Sequence, residues 1–317
     1  ITILNIILKN LRSIKNIEIL NHPISTPGLQ VVSNNKNVFG IMITASHFSS
    51  IYNGFKFFLS GKKIDKNFEN LIQKNIEKKN QNIPARRNIK RINGSVYYKK
   101  INKSLNVKTK EKVLVDCSNG SIASFYKKIN FLKKTNVIHK NYKNNKINSN
   151  CGSNHLKKNI KTNLYKSFQY CIAYDGDADR VVIAKKNYGV IEAEKLALIF
   201  VNYLKKKKEI NSIVATEISN PWLRDMLMIN KIKLYYSKVG DRNVIKKKLN
   251  TNSTFGYENS GHFCFKDSMD GLYASGLFLK ILSTNKNIIS ETLKKNITYK
   301  KKIYALKNNN LISLKKF

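Results

Sequence analysis

Two apolar runs, Tyr170-Cys171-Ile172-Ala173-Tyr174 and Val181-Val182-Ile183-Ala184, flank the segment Asp175-Gly176-Asp177-Ala178-Asp179-Arg180. Runs of this length without polar alternation read as buried strands, so the acidic segment is a turn held by rigid neighbours. In an extended segment, side chains at i, i+2 and i+4 project to one side, and the three carboxylates can converge on one hard cation. Carboxylates are scarce in this chain, with 19 Asp and Glu against 59 Lys and Arg, so three at alternate positions are unlike the rest of the sequence. Oxygen-only ligands point to one Mg²⁺. A calcium loop of the EF-hand kind does not fit, because neither its Gly nor its distant Glu falls at the required offset. A solvated acidic turn is the alternative that this segment alone leaves open.

A length of 317 residues suggests two or three domains, and a hydrophobic content of 42% with apolar runs throughout excludes a disordered polar tail. The formal net charge of +40 is the footprint expected of a polyanion binder. Its makeup argues otherwise: seven Arg stand against 52 Lys, whereas readers of bases and phosphates lean on the bidentate fork of Arg. Nucleic acid is therefore not expected as a partner. The lysines are spread along the chain among abundant Asn and Ile, a pattern expected of strongly A- and T-rich coding DNA; a gene of balanced nucleotide composition would remove that hypothesis. Cys117, Cys151, Cys171 and Cys264 lack the paired spacing of a zinc site or redox dithiol. They read as buried thiols of a reducing compartment, with cytoplasm the default. The apolar start, Ile1 to Leu8, is too short to span a bilayer and has no basic leader, so no membrane partner is expected. Its lack of Met suggests a fragment or an unusual start codon.

Strands alternate with helical stretches, the pattern of an α/β protein with a mostly parallel sheet. A helix is expected before Asn21-His22-Pro23, a turn at Ser25-Thr26-Pro27-Gly28, and a strand Phe39 to Ile43 leading into Thr44-Ala45-Ser46-His47. A polar segment comes next, near Lys78 to Arg91. The second block opens with a strand at Lys112 to Asp116 and a loop at Cys117-Ser118-Asn119-Gly120, and closes in a helix ending at Leu204. Lys205 to Lys208 reads as a linker before a strand at Ser212 to Thr216. Lys133-Lys134 and Lys246-Lys247-Lys248 read as solvated helix faces.

Three further segments carry chemistry-bearing residues. Ser46 stands where a strand turns into a loop, beside His47, and Lys56 could exchange protons if burial lowers its pKa. Lys238-Val239-Gly240-Asp241-Arg242 is a glycine turn with both signs of charge; a phosphate-contacting loop and a salt-bridged helix start explain it equally. Gly256-Tyr257-Glu258-Asn259-Ser260-Gly261-His262 is a tight polar loop able to hydrogen-bond vicinal hydroxyls.

In their order and spacing these motifs resemble the α-D-phosphohexomutase superfamily, most closely its bacterial phosphoglucosamine mutase branch. Thr44 to His47 with Asn53-Gly54-Phe55-Lys56 looks like the family's phosphoserine loop, and Val115 to Gly120 like the start of its second domain. Asp175 to Arg180 looks like the metal loop, Lys238 to Arg242 with Val244 like a third-domain segment, and Gly256 to His262 like the sugar-recognition loop. The resemblance implies three similar mixed-sheet α/β domains over 1–104, 105–208 and 209–317, the first incomplete. It implies a phosphoryl carrier at Ser46, with Mg²⁺ held by Asp175, Asp177, Asp179 and a phosphoserine oxygen. Arg180 would add fixed positive charge, and His47 and Lys56 would serve the transfer. Glu258 and Ser260 would grip sugar hydroxyls, with Lys238, Asp241, Arg242 and His262 lining the third-domain side. The implied reaction interconverts glucosamine 6-phosphate and glucosamine 1-phosphate through glucosamine 1,6-bisphosphate. The implied partner is a small phosphosugar, and a homodimer is left open.

The chain departs from the family at several points. Phe48-Ser49 replaces Asn-Pro, from which a looser turn is expected. Ala178 replaces Gly; a positive φ there would cost roughly 1 kcal/mol. Met269-Asp270-Gly271 replaces Gly-Asp-Gly, and Asn243 an aromatic residue. The N-terminal Gly-Thr-Asp-Gly-Ile-Arg type motif and the fourth domain's phosphate-holding loop are not found, nothing at Asn309 to Phe317 resembling the latter, so weaker retention of the bisphosphate is expected. The alternatives are a phosphomannomutase or phosphoglucomutase, and a non-catalytic remnant that binds polyanions.

Overall fold

Strands that run apolar on both faces take inner positions in sheets, where cover on both sides hides them from water. Val113–Asp116, Tyr170–Tyr174 and Ser212–Thr216 are buried at every residue. The computed structural model describes residues 3–11, 14–75, 88–105, 107 and 110–299. The expectations for 1–2, for most of the polar segment around 78–91 and for 309–317 lie outside the described residues.

One sheet runs in the order Gly189–Val190, Val181–Lys185, Tyr170–Tyr174, Val113–Asp116, Asn136–Ile138. Tyr170–Tyr174 is parallel to Val113–Asp116 and antiparallel to Val181–Lys185, so the acidic run is the tip of a hairpin. A second sheet runs Lys233–Ser237, Ser212–Thr216, Phe255–Tyr257, Phe263–Cys264, with only the last pair antiparallel. In the first block Phe39–Ile43, Phe55–Leu59 and Lys62–Lys63 pair antiparallel, while Asn16–Leu20 pairs parallel with Asn88–Ile92. The architecture is α/β with mixed sheets. It is less parallel than strand-and-helix alternation suggests, because short connections return the chain beside itself without a crossover helix.

Several local expectations change. The helix expected before Asn21 is confined to Ile3–Asn10, and Asn16–Leu20 is a strand in which Ile17 and Ile19 share a face. Ser25 to Gly28 is no free turn but the start of helix Thr26–Lys36: Ser25 Oγ accepts from the Gly28 amide at 3.2 Å, and Pro27 sits where an amide donor is not needed. Lys205 to Lys208 is only partly a linker. Helix Ala193–Lys206 takes in Lys205 and Lys206, and Lys207 closes it, its amide donating to the Tyr203 and Leu204 carbonyls. Lys248 is buried on helix Asp241–Asn250, so that lysine run is not wholly solvated.

A single apolar cluster joins the blocks, including Ile172, Tyr174, Phe200, Trp222, Phe255, Phe263 and Phe278. Phe200 meets Phe263 and Phe265 edge-on at 5.4 and 5.3 Å, and Phe278 of helix Gly271–Thr284 meets Tyr170 at 5.5 Å. Such pairs add about 0.5–1.5 kcal/mol each beyond area burial. They tie helix Ala193–Lys206 to the second sheet and helix Gly271–Thr284 to the first, within a cluster that holds residues of both.

Helix Gly271–Thr284 is capped by Asp270, which accepts from the Tyr273 amide at 2.9 Å and from the Tyr97 hydroxyl at 3.0 Å. Burial pushes this carboxyl up to about 6, against the pull of those donors. A folded pKa above the unfolded one means that its contribution is fully present below about 4 and lost as pH rises through about 6. Asp270→Asn keeps an acceptor for both donors without the charge. Its stability relative to the parent chain is expected to improve between pH 4 and pH 7 in chemical unfolding; an unchanged difference would reject this account.

Candidate active site

The hairpin tip gathers one oxygen each from Asp175, Asp177 and Asp179 within 4.8 Å of one another, all buried. Ala178 makes this possible by adopting φ 56°, the left-handed conformation whose cost the sequence raised. Asp177 Oδ2 accepts from the Thr26 hydroxyl at 2.5 Å and from Lys56 Nζ at 2.7 Å, and Lys56 also donates to Asp179 at 2.7 Å. Asp177 Oδ1 is buried with no hydrogen-bond partner. Burial, then the charges of Asp179 and Asp177, push the Asp175 carboxyl well above the carboxylate range. For Asp179 burial acts the same way, but Lys56 and His262 outweigh it and hold the group well below that range. Lys56 pairs with Asp177 and Asp179, Arg180 Nε lies 3.8 Å from Asp175, and Asp177 keeps a buried oxygen without a partner. The donor chemistry, three converging carboxylates with one oxygen unused, fits a hard divalent cation.

Ser46 stands at φ 53°, its amide donating to Thr44 Oγ1 at 2.8 Å and its own Oγ donating to Asp175 at 3.1 Å. In the turn that lacks the proline, the Phe48 amide donates to the Ala45 carbonyl at 3.0 Å. Lys56 departs from expectation. Burial alone would lower its pKa, but Asp179 and Asp177 outweigh it and push it far above the usual lysine value, so it is a fixed cation, suited to neutralising charge and poorly suited to proton transfer in either direction. His47 is half-buried against Phe48, with ring centres 4.4 Å apart. Burial first, then Arg180, lowers its pKa and favours the neutral ring.

The Gly256 to His262 loop is joined directly to the acidic tip. The Val181 amide donates to the Gly261 carbonyl at 3.0 Å, and a Cβ on Gly261, at φ 94°, would lie 2.6 Å from the Val181 carbonyl oxygen. His262 spans the junction, with Nδ1 3.1 Å from Glu258 and Nε2 3.2 Å from Asp179. Burial opposes its charge, yet Asp179 and Glu258 push its pKa up to about 9. The protonated ring donates to both carboxylates; Arg180 Nε, 3.2 Å from Nε2, can donate there only to the neutral form. Glu258 also accepts from the Gly240 amide at 2.7 Å and from Ser260 Oγ at 3.2 Å.

The remaining expected residues lie further round the cleft. Asp241 pairs with Lys63 at 2.5 Å and Arg242 pairs with Glu69, so the third-block segment is tied to the first block. Lys238 is exposed. Sequence reasoning missed Thr26, Lys63 and Glu69, whose partners lie 151 to 178 positions away. Only Thr26 carried a local signal, as part of a helix-start pattern. Asp116, His139 and Cys151 form a second group with metal-capable atoms within 4.8 Å. Asp116 there accepts from the Ser118 and Gly152 amides and the Tyr165 hydroxyl, which makes it a bracket for the surrounding loops.

Comparison with known proteins agrees with this geometry. Residues 2–83 match phosphoglucomutase/phosphomannomutase alpha/beta/alpha domain I, and residues 192–299 match domain III, taking in helix Ala193–Lys206. The chain is 31% identical over 288 residues to a phosphoglucosamine mutase of Clostridium botulinum, covering 84% of this chain and 64% of that protein. To the phosphoglucosamine mutase of Dictyoglomus thermophilum it is 34% identical over 281 residues, covering 82% and 60%. The chain thus spans less than two thirds of the length of these relatives. A putative phosphomannomutase from Thermus thermophilus superposes with a TM-score of 0.76 at 18% identity, covering 88% of this chain and 67% of that one. An Aspergillus fumigatus N-acetylphosphoglucosamine mutase variant, solved with glucose 1,6-bisphosphate, gives 0.63 at 14% identity, covering 84% and 75%. Matched in order at domains I and III, and with the acidic tip and the serine loop in contact, the chain belongs to the phosphoglucomutase/phosphomannomutase family of the α-D-phosphohexomutase superfamily.

Proposed function

We propose that the chain interconverts glucosamine 6-phosphate and glucosamine 1-phosphate, with Ser46 as phosphoryl carrier. The observation that carries this reading is the 3.1 Å contact between Ser46 Oγ and Asp175 at the edge of a buried carboxylate triad. Curated relatives named phosphoglucosamine mutase favour the amino sugar over glucose or mannose. In the proposed cycle, phosphorylated Ser46 gives its phosphoryl group to the free sugar hydroxyl. The P–Oγ bond breaks and a new P–O bond forms, giving glucosamine 1,6-bisphosphate. The bisphosphate turns round and returns its other phosphate to Ser46.

Asp175, Asp177 and Asp179 would hold Mg²⁺, which when bound would neutralise charge on the transferring group. Arg180, whose Nε lies 3.8 Å from Asp175, would add fixed positive charge. Lys56, held as an ammonium between Asp177 and Asp179, would add fixed positive charge beside the transferring group, and neutral His47 is suited to accept the hydroxyl proton. Glu258 and Ser260 are oriented by His262 and the Gly240 amide to receive sugar hydroxyls. Lys238, Asp241 and Arg242 would meet the distal phosphate side, where substrate must compete with Lys63 and Glu69. The three blocks at 1–104, 105–208 and 209–317 would act as three domains around this cleft. Among the described residues no helix is long and apolar enough to cross a membrane, and four buried free thiols fit a reducing cytoplasm.

Intact-mass analysis together with a coupled assay on glucosamine 6-phosphate, Mg²⁺ and a trace of the 1,6-bisphosphate tests the reading. Phosphate on Ser46 and formation of the 1-phosphate are expected; the absence of both would sink it.

A further inference from the structure

Ser46 holds a left-handed backbone at φ 53°, a conformation that favours glycine and persists only where surroundings enforce it. The enforcing contacts come from the second block. The side-chain amide of Asn148 donates to the Ser46 carbonyl at 2.8 Å and to the Phe48 carbonyl at 2.7 Å. Asn154 donates to the intervening His47 carbonyl at 3.1 Å. The Gly176 amide of the acidic tip adds a bond to the Ser46 carbonyl at 3.2 Å, and a Cβ on Gly176 would lie 2.8 Å from that oxygen. Three successive carbonyls of the serine loop are therefore gripped from a segment about 100 residues away. Asn148 is buried, and its own amide is anchored to the Ser118 carbonyl at 2.9 Å. Its side-chain amide donates to backbone carbonyls, not to the carboxylate oxygens or Ser46 Oγ.

We infer that Asn148 is a positioning residue: its two amide hydrogens hold the Ser46–Phe48 backbone so that Oγ faces the acidic triad, and Asn154 assists. The inference rests on Ser46 being the phosphoryl carrier. Released from the clamp, the loop can rotate Ser46 towards ordinary backbone angles, carrying Oγ away from Asp175. A displacement on the order of 1 Å at a reacting atom can cost about 100-fold in rate.

Asn148 itself stands at φ 58°, so Asn148→Gly removes the side chain without a backbone penalty, and Asn148→Asp keeps the shape while removing both donors. Asn150, at φ 52° in the same segment, gives the control Asn150→Gly. In the full chain, both Asn148 variants are expected to slow phosphorylation of Ser46 by a hexose 1,6-bisphosphate about 10- to 100-fold. KM for the sugar phosphate should stay within about twofold, since no substrate contact is lost. Hydrogen exchange at the Phe48 amide should quicken in the Asn148 variants and not in Asn150→Gly. A folded Asn148→Gly chain that phosphorylates at the parental rate overturns the inference while leaving the carrier intact. A parent chain that takes no phosphate on Ser46 overturns both, and unchanged Phe48 exchange in Asn148→Gly overturns the clamp whatever the activity.

Discussion

Ser46→Ala is expected to abolish phosphate uptake and lower turnover by on the order of 10⁴-fold or more, the usual scale for removing a covalent nucleophile. The fold should survive. The change removes one hydroxyl and its bond to Asp175, and leaves the carbonyl grips on the loop in place. Both residues are L-amino acids at φ 53°, so the backbone strain is nearly the same before and after. Thermal unfolding should therefore move by a few degrees at most, while intact mass shows no phosphate after incubation with the bisphosphate. Ser49→Ala, at an exposed serine of the same loop, should remain phosphorylatable. Full activity in Ser46→Ala would remove this serine from the mechanism.

Neutralising two aspartates of one triad is expected to change metal-free stability in opposite directions. Asp175 has its folded pKa raised, first by burial and then by Asp179 and Asp177. Its charge therefore costs stability as pH rises through that pKa, and Asp175→Asn should stabilise the metal-free chain at neutral pH. Asp179 has its folded pKa depressed by Lys56 and His262 in spite of burial. Its contribution is present above the ordinary carboxylate pKa and lost as pH falls through the depressed one. Asp179→Asn should therefore destabilise the chain at neutral pH, by less than the roughly 3–5 kcal/mol lost when a buried charge is left alone, because Lys56 keeps Asp177 and His262 keeps Glu258. Unfolding in a chelator reads the two signs directly. With Mg²⁺ restored, the parent chain should gain about 2.7 kcal/mol when the ion stands at 100 times its dissociation constant. Neither variant should gain as much, since each has lost a charged ligand. Equal shifts in both variants, or a parent chain indifferent to the ion, would refute the assignment.

Much of the site was legible because its chemistry lies in short segments. Asp175, Asp177 and Asp179 alternate within five residues, and the apolar runs around them announced two strands. Glu258, Ser260 and His262 likewise share one tight loop. Asn148 was not legible: in a chain rich in asparagine, nothing local separates a residue that grips another loop from its neighbours. The misread elements share a cause. Ser25 to Gly28 contains turn-forming residues that also begin helices, and whether Ser25 caps a helix depends on the conformation of the residues after it. Lys205 to Lys208 reads as a break by charge, but a helix can carry lysines along its solvated last turn.

The sequence by itself determined the α/β class, the acidic tip, the serine loop and their kinship, because period, turn chemistry and motif order are local properties of the chain. Tertiary structure alone decided how those pieces act on one another. Lys56 could be read as a tunable acid or base until its ammonium was found 2.7 Å from both Asp177 and Asp179. His262 could be structural or a proton donor until it was found between Glu258 and Asp179. The physical reason is that protonation and backbone strain depend on charges and hydrogen bonds within a few ångströms, and in this chain Glu258 is local to His262 while Asp177 and Asp179 come to Lys56 and His262 from more than 80 residues away.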